Sequence, residues 1–198
     1  MIYSSVSEER PAPGWRRLAA RAGYRVSQFW AALRARVTPH ELLAASELLP
    51  APAWALFTAM PVSDQRHSLD VVHALQAQGY QAPADRDLLA AALLHDAAKA
   101  GHLQLWHRAA LVLLKLTPPG RGLLRWLARP AQPGHWRYPF YVTVYHPTLG
   151  AAQALAAGCS TVTAWLIEQH QTPVVDRSAP ISQRAAWLLA LQKADDLS

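Results

Sequence analysis

The segment LLAAALLHDAAKAG, residues 88–101, constrains this chain more than any other stretch. Its apolar run, Leu88 to Leu94, reads as part of a helix that is hydrophobic on every side and must therefore be buried. The same helix then delivers His95, Asp96 and Lys99 in its last turns. Asp96 and Lys99 are three apart and His95 and Lys99 four apart, so each pair shares a helix face. A buried carboxylate or imidazole is costly unless it is paired or bound to a metal. Partners must come from elsewhere in the chain. His67, His146, His170 and Asp195 are the candidates, because each falls in or at the edge of an expected helix among small or apolar neighbours.

The rest of the composition fits a folded domain. At 198 residues, with 52% hydrophobic and 16% charged, the chain can bury a core and is too apolar to be disordered. A single cysteine, Cys159, excludes a disulfide framework and a cysteine-rich zinc module, and fits a reducing compartment. No apolar run approaches the roughly 20 residues of a membrane span. Residues 1–11 carry Glu8 and Glu9 and no apolar stretch, so no signal peptide is expected. The expected location is the cytoplasm, with a membrane-peripheral variant left open by the charge distribution.

That charge is concentrated at the N-terminus. Residues 10–36 hold seven arginines and no acid, so this segment is +7 and the remainder is 12 − 13 = −1. Trp15, Leu18, Ala22, Val26, Phe29, Trp30, Leu33 and Val37 recur at three- and four-residue steps, which predicts an amphipathic helical arm. Docking of the stripe on the rest of the chain is its simplest use. Weak contact with an anionic membrane surface through residues 10–36 is a second. An arginine-rich helix alone does not specify nucleic acid, and none is expected as a partner.

Beyond the arm, helical signals dominate. Thr38 and Glu41 form a capping-box pattern for a helix over 40–49. A short helix is expected around 54–60, then one over 65–78 capped by Asp64 and ended before Gly79, then the apolar helix opening at 84–87. A helix is expected across 105–116, a turn at Pro118-Pro119-Gly120, and a loop over 129–140. Residues 141–145 are β-branched enough for a short strand, although a helix start just before His146 suits the surroundings better. Helices over 149–157, 160–169 and 181–197 follow. Without alternating β and α signals, the expectation is an all-α bundle.

The ordered residues His67, His95-Asp96, His146, His170 and Asp195, in the contexts RHSLDVV, LLHDAAKAG, HPTLGA, LIEQHQ and LQKADD, resemble the HD-domain metal-dependent phosphohydrolases. The resemblance covers about residues 38–198, which divides the chain into a basic arm, 1–36, and an HD domain, 37–198. It implies a helical bundle holding divalent transition-metal ions. His67, His95, Asp96 and Asp195 would hold one ion; His146 and His170, with Asp96, would hold the other. Mixed imidazole and carboxylate ligands suit Mn, Fe, Co, Ni or Zn. Asp96 would bridge two ions about 3.5–4 Å apart that activate a water, and Lys99 would offset developing phosphate charge. The implied substrate is a small phosphorylated molecule, a phosphomonoester or phosphodiester, with nucleotides among the candidates. The alternative is an HD scaffold that binds or signals with little catalysis.

Two departures from the family pattern matter. The Gly-Tyr-Pro signature of the cyclic-di-GMP phosphodiesterases is missing, and QTPVVDRSAP, residues 171–180, stands in its place. Where relatives often carry a doubled histidine, this chain has Gln169-His170. Among the other ionisable residues, His73 belongs to a different helix face from His67. His102, His107, Arg108 and Arg137 are candidate substrate contacts with a surface role equally open, while His40, His135 and Asp196 read as incidental.

Overall fold

The computed structural model describes residues 35–103, 107, 110, 111, 114, 117–174 and 181–198. Among them every regular element is helical, as the hydrophobic periodicity requires: α1 (Pro39–Leu48), α2 (Ala51–Thr58), α3 (Val62–Ala77), α4 (Arg86–Leu94), a 3₁₀ turn (Ala97–Lys99), α5 (Pro118–Leu127), α6 (Tyr138–Ala156), α7 (Thr161–Gln169) and α8 (Gln183–Leu197). The basic arm expected at 1–36 lies almost entirely outside the described residues. So does most of the helix expected across 105–116, although His107, Ala110, Leu111 and Leu114 are helical.

Helix α4 is the axis of the bundle. Leu88, Leu89, Ala91, Ala92 and Leu93 have no exposed surface, and α1, α2, α3, α7 and α8 all pack on the helix. Each fully buried leucine contributes about 2 kcal/mol of transfer free energy. Two acids near its N-terminus fix its neighbours. Asp85 accepts from the Trp187 indole on α8 at 3.1 Å. Asp87 accepts from Ser160 at 2.7 Å and Thr163 at 3.1 Å, which ties α4 to the N-cap of α7. The helices that carry the C-terminal candidate residues are thus held to the helix that carries His95.

The ends of the helices follow their sequence signals with three exceptions. Thr38 and Glu41 make both bonds of the capping box, at 3.3 and 2.8 Å. Gly79 and Gly158 close α3 and α6 at φ +97° and +86°, each with the paired back-bonds of a Schellman end. Asp64, expected as the cap of α3, instead sits in its first turn. Pro61 ends the preceding chain in an extended conformation, and the helix starts at Val62. The carboxylate still faces the positive end of the helix dipole. Pro118-Pro119-Gly120 is the first turn of α5 rather than a free turn. Thr117 accepts from the Gly120 N–H at 3.1 Å, and a proline at the start of a helix forfeits only an amide that would have no partner there. α6 starts at Tyr138 and runs straight through Pro147, so residues 141–145 are helical, the helix begins well ahead of the start expected just before His146, and the loop expected over 129–140 gives way to helix at 138. Burial of Phe140, Val142, His146, Gly150 and Ala154 on one side gives these residues a helical period that outweighs their β-branched character.

Candidate metal centre

His67 lies on α3, His95 and Asp96 at the end of α4, His146 in the middle of α6, His170 at the end of α7 and Asp195 in the last turns of α8. The fold brings these six side chains together. His67 Nε2 is 2.9 Å from Asp195 Oδ1, and His95 Nε2 is 3.4 Å from that same oxygen. Asp96 Oδ1 lies 3.9 Å from His95 Nε2, 3.3 Å from His146 Nε2 and 4.0 Å from His170 Nε2. His146 and His170 face each other with their Nε2 atoms 3.3 Å apart. Two sets of convergent ligand atoms result, His67–His95–Asp96 and Asp96–His146–His170, with Asp96 common to both.

The backbone dictates which nitrogen of each buried imidazole points inward. His95 Nδ1 is bonded to the Ala92 carbonyl at 2.9 Å, His146 Nδ1 to Thr143 at 2.9 Å and His170 Nδ1 to Ile167 at 2.7 Å. A carbonyl only accepts, so each Nδ1 carries the proton and each neutral ring presents an Nε2 lone pair to the centre. All three bonds reach back three residues, and in each case the local chain leaves that carbonyl short of an amide donor. His95 and His170 are the C-caps of α4 and α7, where the last carbonyls have no helical partner. In α6 the amide that would bond Thr143 belongs to Pro147, which has none. This is the arrangement in which imidazole ligands are oriented and held in one tautomer by their outer hydrogen bond.

Inside the centre the Nε2 lone pairs are short of donors, and among the described residues only His146 has an amide, that of Gln171, within 3.3 Å. His95 Nε2 is buried and makes no hydrogen bond among the described residues, even though Asp195 is near. Neither His146 nor His170, as a neutral ring, can donate to the other across 3.3 Å. A divalent cation would satisfy facing lone pairs and carboxylates together, so the donor set fits one. Electrostatics agree. Burial and then the Lys99 charge push His146 down to about 3, and burial with the nearby His95 pushes His170 down to about 4, which keeps both rings neutral near pH 7. Burial alone would raise Asp96, but the adjacent Lys99 ammonium, which also hydrogen-bonds it, outweighs that and holds the carboxylate well below its ordinary range. Burial also opposes ionisation of Asp195, and the bond from His67 with the contact to His95 reverses that. The two carboxylates in turn raise His95 against the effect of its burial.

Lys99 stands differently from the expectation. Its Nζ is 2.7 and 2.8 Å from the two oxygens of Asp96, so the lysine is engaged with the central carboxylate. The sequence reading also missed Gln171, whose amide lies 3.3 Å from His146 Nε2. Its only signal in the sequence is its place beside His170. Gln192 of α8 donates to the Thr172 carbonyl at 2.7 Å, linking the helix of Asp195 to the end of α7.

The other candidates are elsewhere. His73 is exposed and lies 3.4 Å from Arg66. His102 packs edge-on against Tyr138, and His107 is buried against Phe140, so a surface role for His107 is excluded. Arg137 lies over the Trp126 ring, His135 stacks on Trp136, and Asp196 is exposed. Arg108 lies outside the described residues. Comparison with family models, curated proteins and solved structures finds no match to this chain.

Proposed function

We propose that the chain is a metal-dependent phosphohydrolase that hydrolyses a phosphomonoester or phosphodiester at the centre around Asp96. The observation that carries this reading is the pair of ligand sets sharing Asp96, with three imidazoles locked to present unprotonated Nε2 atoms. Two divalent ions held there would supply a water of strongly lowered pKa and a Lewis acid for a phosphoryl oxygen. The protein's part is to orient ligands and arrange charge. Asp96 would be the shared ligand, with His67, His95 and Asp195 completing one set and His146 and His170 the other. Lys99 is the cation nearest this carboxylate, placed to offset phosphoryl charge once Asp96 gives an oxygen to a metal. Nucleotides are one candidate substrate class.

The bidentate hold of Lys99 on Asp96 favours a second reading, in which this ion pair replaces the metals and the scaffold binds or signals without turnover. Elemental analysis and phosphate release separate the two. The enzyme should take up close to two equivalents of Mn, Co or Ni and hydrolyse simple phosphate esters, releasing phosphate and an alcohol from a monoester or a monoester and an alcohol from a diester. Asp96→Ala should lower that turnover on the order of 10³-fold, about 4 kcal/mol of barrier, while the fold persists. Absence of bound metal after reconstitution, or full activity in Asp96→Ala, rejects the hydrolase.

A further inference from the structure

Between Asp96 and Glu168 the sequence contains no acidic residue, while residues 97–167 carry seven lysines and arginines. The fold exposes an apolar patch in this basic stretch. Leu123 is 49% exposed, Trp126 46% and Trp136 60%, although large apolar side chains usually find cover. The two indoles are neighbours, with ring centroids 6.5 Å apart, and the Arg137 guanidinium lies 5.7 Å from the Trp126 ring. Arg125 and Arg129 are exposed beside them. On the inner side of α5, Leu124 and Leu127 are buried with Leu111 and Phe140, which anchors the helix and leaves Leu123 and Trp126 outward.

We infer that the outer face of α5 and the loop carrying Trp136 form a docking surface for an anionic lipid bilayer. Tryptophan and leucine enter the headgroup boundary, where an indole keeps its N–H in the polar layer, while flanking arginines meet anionic lipid. The positive charge of the exposed Arg125 and Arg129 supplies the complementarity. It also disfavours a second copy of this chain, which would bring the same charge to the contact. Nucleic acid fits less well, because the indole planes are tilted 50° to one another rather than stacked as a base platform, and Leu123 offers nothing to a base. The patch immediately precedes α6, the helix of His146, and its residues are separate in sequence from segment 10–36.

The test is co-sedimentation of the full chain with phosphatidylcholine vesicles made with and without phosphatidylglycerol. Binding should require phosphatidylglycerol and weaken as salt rises. An arginine near an anionic leaflet is worth about fivefold in partitioning, so Arg125→Gln with Arg129→Gln should weaken binding about 25-fold. Trp126→Ala with Trp136→Ala should weaken it at least about tenfold with an unchanged thermal transition. Equal binding of these variants and the parent overturns the inference, since segment 10–36 would then carry any lipid contact. Binding to a single-stranded oligonucleotide but to neither vesicle overturns it in favour of nucleic acid.

Discussion

At the scale of single residues, Pro147 is the least expected contributor to the candidate metal centre. In an ordinary helix the residue at 147 would donate its amide to Thr143, four residues back. Proline cannot, and His146 Nδ1 takes the vacant carbonyl at 2.9 Å. Pro147→Ala should therefore separate stability from ligand quality. Restoring the amide removes an interior proline penalty of up to about 3 kcal/mol, so the metal-free protein should melt higher. The new amide also competes with His146 for Thr143, and loss of such an outer bond lowers metal affinity about 10- to 100-fold. Thermal melts without metal and titration with Mn or Co check the two halves. A variant that binds metal as tightly as the parent would show that the proline does not position His146.

At the scale of elements, most of the helices and all six clustered residues were legible in the sequence, for different reasons. The apolar run before His95 demanded burial, and the capping box at Thr38 and the glycines at 79 and 158 punctuate the chain through local chemistry alone. At 118–120 the cap from Thr117 and the tolerance of proline in a first turn make helix of what read as a free turn, whereas at 138–145 burial of Phe140, Val142 and His146 carries the helix back through a β-branched segment. Nor could the sequence foresee that Lys99 would occupy both oxygens of Asp96, because that depends on where the chain turns after α4. Gly150 shows why α6 comes so close to that turn. A Cβ there would lie 3.2 Å from Ile167 Cγ2 and 3.7 Å from Ala98 Cβ, and Ile167 is fully buried. Gly150→Val should overpack this contact, cost about 1–3 kcal/mol in a urea titration and reduce metal affinity by displacing His146. Unchanged affinity would mean that the helix can retreat without moving its ligand.

The union of α1 with α3 carries a pH dependence of its own. The hydrogen bond from Arg66, then those from the Thr38 backbone and hydroxyl, lower Glu41 to about 2 from its ordinary 4.5. Because the folded value is the lower one, the contribution is complete above about pH 4.5 and fades as the pH falls toward about 2. Solvent screening limits it to roughly 1 kcal/mol. Glu41→Gln should lose that increment near neutrality and differ little from the parent near pH 2. Urea midpoints across the window test this, and a constant gap at every pH would assign the stabilisation to the cap alone.

At the scale of the whole molecule, the candidate ligands span positions 67 to 195 and come from α3, the end of α4, α6, α7 and α8. A bound ion would therefore join elements distant in sequence, and its binding free energy would add to that of folding. With free metal at 100 times its dissociation constant, the gain is about 2.7 kcal/mol. For a chain of this size that corresponds to a rise of roughly 5–10 °C in melting temperature. The effect of chelation should be uneven. The core of α4 is sealed by apolar packing, whereas the last turns of α8 beyond the buried Ala194 depend on Asp195 and its partners, with Ser198 bonded back to Ala194 at 2.8 Å. Helix ends held by few contacts open first. Hydrogen exchange after metal removal should thus accelerate around 192–198 and leave 88–94 nearly unchanged. A uniform loss of protection, or none, would mean that the C-terminal helix is held by packing and that Asp195 does not couple its order to a metal.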